Sequence, residues 1–200
     1  MARELAAGIL AFQGDVAEHA RATYAAAQRL KLAVTVSEVR TRDDVRGLDA
    51  LIIPGGESTT LQKLCEREGM FSEMKKVKAI FGTCAGAILL AKNVRGRSKG
   101  QRTLELVDIE VERNAYGRQN ESFEEDIQTR FGSLHAIFIR APKILKVGKG
   151  VTVLAEHKKE ILACEQRAGD CYYLAACFHP ELTTTLFHEH FLREAQKKRV

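Results

Sequence analysis

Gly82-Thr83-Cys84-Ala85-Gly86 sets a candidate nucleophile between two glycines, after an apolar β-prone run and before a helical one. That is the context of a G-x-nucleophile-x-G elbow, where glycines make room for a sharp strand-to-helix turn. Such a turn strains the cysteine backbone and sets its sulfur over the helix N-terminus, where unpaired amides and the helix dipole favour a thiolate. The amide of Ala85 points into the same space and is a candidate oxyanion donor. A buried structural cysteine is the plainer reading of Cys84 alone; the flanking glycines and the strand-helix context favour the elbow, with its sulfur exposed.

His179-Pro180-Glu181 follows an apolar run directly, which places the histidine at the carboxyl end of a strand, the edge where open α/β sheets carry their sites. Pro180 restricts the backbone between the two side chains. A carboxylate two residues on can orient the imidazole while its other nitrogen faces a nucleophile, the logic of a thiol-imidazole-carboxylate triad. Pro54-Gly55-Gly56-Glu57-Ser58-Thr59 is a third strand-end element. Its glycines let backbone approach a ligand, and a plain turn with Ser58 or Thr59 capping a helix that begins near Thr60 is the alternative. It lacks the Gly-Lys-Ser/Thr ending of a phosphate loop. His188-Glu189-His190 suggests a metal site, but residues two apart on a helix face different ways, so both histidines are expected on the surface.

These residues need a scaffold, and the first half of the chain supplies crossover βα units. Strands are expected at Leu5 to Phe12, Leu32 to Val39, Ala50 to Ile53 and Ala79 to Phe81, with helices at Val16 to Leu30 and Ala85 to Ala91 and a short helix or turn near Arg42 to Arg46. In the first long helix, Ala20, Tyr24 and Ala27 share one face. Strands at Leu104 to Val111, Leu134 to Ile139, Val151 to Glu156, Glu160 to Glu165 and Tyr172 to Phe178 have short connections, which makes part of the second half antiparallel. A helix from Leu182 to Lys197, with Leu182, Leu186 and Phe187 inward, closes the chain. The expectation is an α/β fold: one domain, residues 1–200, with a mostly parallel central sheet flanked by helices.

Two hundred residues with 45% hydrophobic and 28% charged side chains suit one packed core and exclude a disordered or fibrous chain. No apolar run approaches the roughly 18 to 20 residues of a membrane span. Arg3 and Glu4 precede an apolar run that flows into Gln13, Gly14 and Asp15 without a small-residue cleavage site, so a secretory signal is not expected. Five cysteines, Cys65, Cys84, Cys164, Cys171 and Cys177, are an odd number without CxxC spacing, which points to reduced thiols in a cytoplasm, all but Cys84 read as packing residues. The net charge of +5 is only partly concentrated, in Lys92, Arg95, Arg97, Lys99 and Arg102 and in Lys197, Lys198 and Arg199. No aromatic residue interleaves these clusters to stack bases, so a solvated loop and a frayed tail are expected and nucleic-acid binding is the weaker alternative.

Taken together, the Pro54 to Thr59, Phe81 to Gly86 and Phe178 to Leu182 segments, with Val111-Glu112-Arg113-Asn114-Ala115-Tyr116-Gly117-Arg118-Gln119 and Phe138-Ile139-Arg140-Ala141-Pro142, resemble the family of glutaminase subunits of pyridoxal 5'-phosphate synthase. The elbow and His-Pro-Glu alone point only to class I, triad-type glutamine amidotransferases; the remaining elements narrow the likeness, which runs from about Gly8 to the final helix. The resemblance implies a flavodoxin-like fold of that class, in which Cys84 attacks the side-chain amide of L-glutamine, His179 shuttles the proton and Glu181 orients His179. It further implies an oxyanion hole from the amides of Gly56 and Ala85. Glu57, Ser58, Arg113, Ile139 and Arg140, with Gly56, would hold the amino-acid end of glutamine, whose α-carboxylate and α-ammonium suit an arginine and a glutamate. Gln13 would order the oxyanion region at the contact with the partner synthase subunit, which receives the ammonia. No cofactor, metal, membrane or nucleic acid enters this scheme.

Leu104-Glu105-Leu106 departs from the Leu-Gly-Leu common in that family, and the preceding Arg95 to Arg102 segment is unusually basic. A γ-glutamyl peptidase using the same triad and a catalytically silent regulatory scaffold are the competing readings. The first is separated by comparing free glutamine with γ-glutamyl peptides, and the second is disfavoured by the presence of all three triad residue types. The Gly55-Gly56 peptide can rotate at little steric cost, so the second oxyanion donor is expected to stay misdirected until the synthase docks.

Overall fold

The computed structural model describes residues 4–115 and 122–197; Arg3, Tyr116 to Gln119, Lys198 and Arg199, named above, lie outside the described residues. Strands covered on both faces read as unbroken apolar runs, and Ala50–Ile53 (β3) is buried at every position. Leu5–Leu10 (β1) feeds helix Val16–Leu30 (α1) and returns as Val34–Val39 (β2). A short helix at Arg42–Val45 (α2) leads to β3, and helices Ser58–Arg67 (α3) and Phe71–Met74 (α4) cross to Ala79–Thr83 (β4). β1 lies between β2 and β3, β3 pairs with β4, and β4 pairs with the late strand Cys171–Ala176 (β12), all in parallel. The order β2-β1-β3-β4-β12 is that of a flavodoxin-like doubly wound sheet, whose ligands bind beyond the carboxyl ends of the strands.

The second half is antiparallel, apart from one branch. Ala91–Arg95 (β5) follows helix Ala85–Leu90 (α5) directly; then come Val107–Glu112 (β6), Ser122–Thr129 (β7), Gly132–Ile139 (β8), Lys143–Val147 (β9), Val151–His157 (β10) and Glu160–Ala168 (β11). From β12 the sheet continues antiparallel through β11, β10, β7 and β8, while β9, β6 and β5 branch from β11, the last pair in parallel.

Three of these strands, β5, β7 and β9, are absent from the sequence expectation. β7 carries three acids in eight residues and exposes four of them, so its pairing with β8 outweighs a weak intrinsic propensity. β5 and β9 are short and set lysines and an arginine against water. The closing helix also starts later than expected. A 3-10 turn at Pro180–Leu182 leaves Leu182 38% exposed instead of inward, and helix Leu186–Lys197 (α6) begins only after Thr183, Thr184 and Thr185. The Thr184 hydroxyl accepts from the Leu186 amide, a local bond that favours a cap over helix interior. On α1 the buried stripe runs through His19, Ala22, Thr23, Ala26 and Ala27, leaving Tyr24 51% exposed.

Alternate residues of each parallel strand serve opposite faces. Ile9, Ile52, Phe81 and Leu174 pack toward Phe187, Phe191 and Leu192 of α6 and toward α1, while Leu51, Ile53 and Ile80 pack toward Leu61 of α3 and Ile88 and Leu89 of α5. Each large apolar side chain buried this way stabilises the fold by roughly 1.5–3 kcal/mol. All five cysteines are free, and among the described residues no helix is long and apolar enough to cross a membrane.

Candidate active site

β4 ends at Thr83 and α5 begins at Ala85, so Cys84 alone turns the chain. It does so at φ 48° and ψ −106°, a strained conformation for a residue with a side chain, on the order of 1–3 kcal/mol. Both flanking glycines are enforced by close packing: a Cβ at Gly82 would lie 2.5 Å from the Gly86 carbonyl, and one at Gly86 would collide with Ile53 O. The Cys84 amide donates to Ala176 O at 2.9 Å, and its thiol is 3.7 Å from Ile139 O as a donor. Cys84 is 5% exposed, so the expected exposed elbow is corrected: close contact with three strands sinks the sulfur to the floor of a cavity of about 360 Å³.

His179 stands just beyond β12 and lines the same cavity. Its Nδ1 is 2.8 Å from Glu181 Oε1 and 3.2 Å from Asp15 Oδ2, while Nε2 has no hydrogen-bond partner among the described residues. Burial works against charge on this imidazole, but Cys84 and Glu181 outweigh it and push the pKa up to about 10. Burial likewise penalises Glu181, yet hydrogen bonds from His179 and His19 hold its carboxyl well below the usual range. A Cβ at Gly55 would sit 2.6 Å from His179 Cε1, so that glycine makes room for the imidazole. Asp15, His179 and Glu181 offer ligand atoms within 4.8 Å of one another, but a cation there would displace the His179–Glu181 hydrogen bond.

The other end of the cavity is polar and more open. Glu57 is the N-cap of α3, in place of Ser58 or Thr59, because its longer side chain accepts from the amides of Thr59 at 3.0 Å and Thr60 at 2.6 Å. Partial burial raises its pKa, and these bonds more than reverse that, bringing it to about 2. Arg113 donates to Glu57 Oε1 at 2.9 Å, to Gln101 Oε1 at 2.8 Å and to Ser98 Oγ at 3.3 Å. Gln101 is buried, and its Nε2 donates to Ser58 Oγ at 3.1 Å. The basic segment is therefore more than a solvated loop: Ser98 and Gln101 brace the site. Outside it, Lys92 pairs with Asp108, Arg95 with Glu110 and Arg102 with Glu66.

Ile139 and Arg140, at the end of β8, and Gly56, Glu57, Ser58 and Arg113 all line the cavity. Three of the predicted residues sit behind its wall. Ala85 is the first residue of α5, Glu181 backs His179, and Gln13 donates from Nε2 to Glu57 O at 2.7 Å. Gly56 has φ 125°, and a Cβ there would be 2.8 Å from Gln13 Cδ, so only glycine fits between this side chain and the cavity. Gly14, Asp15, Ile88 and Asn114 are lining residues the sequence did not single out. Asp15 lies two residues beyond Gln13, itself a candidate, whereas nothing in the sequence marked Gln101.

His188 corrects the surface expectation. It is fully buried, with Nε2 3.0 Å from His19 Nδ1, because α6 lays this face on α1 and β4; His190 is half-buried and bonds Glu165. Glu105 adopts φ 57°, a conformation that glycine reaches without strain. The arrangement as a whole sets a thiol and an imidazole at one end of a small cavity and a guanidinium-carboxylate pair at the other. It can present a nucleophile to the carbonyl of a small zwitterionic molecule.

A profile of the SNO glutamine amidotransferase family matches residues 9–197. The chain is 46% identical over 192 residues to pyridoxal 5'-phosphate synthase subunit PdxT of Oenococcus oeni, covering 93% of this chain and 94% of that one. It is 45% identical to the protein of the same name from Thermus thermophilus, covering 94% and 96%. A solved structure described as a glutamine amidotransferase superposes with a TM-score of 0.81 at 44% identity, covering 94% of this chain and 98% of the other.

Proposed function

The chain belongs to the SNO glutamine amidotransferase family, and from that premise we propose that it hydrolyses L-glutamine through Cys84, His179 and Glu181 and passes the ammonia to the synthase subunit of pyridoxal 5'-phosphate synthase. The observation that carries the reading is the shared cavity, with Cys84 on a strained elbow at its floor and His179 beside it, one imidazole nitrogen bound to Glu181 and the other without a partner among the described residues. Cys84 Sγ attacks the side-chain carbonyl carbon of glutamine. The amides of Gly56 and Ala85 take the oxyanion, and His179 gives its proton to the leaving ammonia. Water, deprotonated by His179, then cleaves the γ-glutamyl thioester and releases glutamate. Arg113 and Arg140 face the α-carboxylate, and Glu57, Ser58 and the Ile139 backbone take the ammonium end.

Gln13 ties the loop before α1 to the Gly55–Glu57 loop, which supports a role in activation: docking of the synthase reorients the Gly56 peptide. Ammonia released without a recipient is lost, so the reading expects low activity from the free chain of a cytoplasmic subunit. The test is ammonia release from glutamine with and without the synthase subunit. Release that rises on adding synthase supports the reading; no release under either condition overturns it.

A further inference from the structure

Behind Glu181, on the side away from the cavity, two histidines share a site with no exposed surface. His19 comes from the first turn of α1 and His188 from α6, and neither is used in the chemistry above. His19 Nε2 lies 3.1 Å from Thr83 Oγ1 and 3.3 Å from Glu181 Oε1, and its Nδ1 lies 3.0 Å from His188 Nε2. The line His179, Glu181, His19, His188 thus runs unbroken from the cavity into the core, immediately behind the residue before the proposed nucleophile.

The protons on this line can be placed from its hydrogen bonds. Burial drives His188 down to about 3, so the ring is neutral and carries one proton. On Nδ1, which has no partner among the described residues, that proton would be a buried orphaned donor, the least tolerated kind of unpaired group. On Nε2 it is given to His19 Nδ1. His19 therefore holds its own proton on Nε2, which faces both Thr83 Oγ1 at 3.1 Å and Glu181 Oε1 at 3.3 Å.

We propose that His19 is a positioning residue for glutamine hydrolysis, donating to Glu181 and holding that carboxylate against His179, and that His188 sets the tautomer which makes His19 a donor. The geometry gives the contact a task. Two carboxylates compete for His179 Nδ1, Glu181 at 2.8 Å and Asp15 at 3.2 Å, and Asp15 is the more exposed of the two. Pinning Glu181 from behind decides the contest and fixes the direction of Nε2. The groups that face Glu181 are His179 from beyond β12, His19 from α1 and, across His19, His188 from α6; Asp15 faces His179 from the loop before α1.

This inference rests on the triad reading, and the test separates the two. In the complex with the synthase subunit, His19→Leu should lower kcat about tenfold to hundredfold, the usual worth of an orienting partner, with KM for glutamine within about twofold. Loss of a donor to a buried carboxylate raises its pKa, so the acid limb of the kcat/KM profile should move to higher pH. His19→Gln, which keeps an N–H donor, should return most of the rate and the original limb, and His188→Leu should give a smaller loss of the same kind. In the unmodified chain, ¹⁵N resonances should show both His19 and His188 protonated on Nε2, a reading that does not depend on any variant folding. A proton on His188 Nδ1, or a His19→Leu variant with the parent kcat and pH profile, would overturn the proposal. Hydrolysis persisting in Cys84→Ser would instead overturn the triad itself.

Discussion

At the reacting end of the cavity Cys84, His179 and Glu181 are 5%, 3% and 8% exposed, and each lies within a few residues of the carboxyl end of a parallel strand. At the other end Glu57 and Arg140 are exposed, and Arg113 is held by Ser98, Gln101 and Glu57 from other segments of the chain. Burial makes the first end unforgiving, since a polar group that loses its partner there has no water to replace it. The second end keeps solvent access and is braced by several bonds, so loss of one is shared among the rest. On the proposed reading, the buried end is the chemical centre and the open, multiply braced end the recognition site.

Four substitutions probe this contrast, in falling order of effect. His179→Asn should reduce kcat by roughly 10³-fold or more while glutamine still binds the complex, measured by calorimetry beside steady-state turnover. If binding disappears with turnover, the two ends are not separable. Gln13→Ala should lose most of the roughly 10²- to 10³-fold activation expected from docking, the worth of one oxyanion donor, in a titration of activity against synthase. At the recognition end, Gln101→Ala should raise KM for glutamine about tenfold, the worth of roughly 1.4 kcal/mol, and leave kcat within about twofold, because Arg113 keeps Glu57 and Ser98. An equal fall in kcat would place Gln101 with the chemical centre. Smallest of all, Glu105→Gly should stabilise the fold by about 1 kcal/mol in urea denaturation without altering kcat/KM, since it relieves a positive φ at an exposed residue that does not line the cavity.

The legibility of the sequence divides along the same line. The elbow and the His-Pro-Glu turn are each contiguous in sequence, and the glycines in and around them are enforced by contacts such as Gly86 against Ile53 and Gly55 against His179. A local requirement of that kind leaves a local signature. The central parallel strands β1, β3 and β4 were readable because burial on both faces leaves few choices but apolar or small residues, as in β3. β7 was not, since half of it meets water and its acids mask the pairing with β8. Gln101 and His19 are likewise illegible: each acts through a partner 12 or more positions away, Arg113 and Ser58 for the first, Thr83 and Glu181 for the second. His188 was misread because helix periodicity tells which residues share a face but not which face is covered.

The claim on which the rest depends is that Cys84 is the nucleophile, and the most direct measurement is steady-state ammonia release from glutamine by Cys84→Ala in complex with the synthase subunit. The smaller side chain fits a site already 5% exposed, so the variant should fold, bind the synthase and release ammonia only at the background rate. A folded, docked variant that retains substantial glutamine hydrolysis would contradict the account.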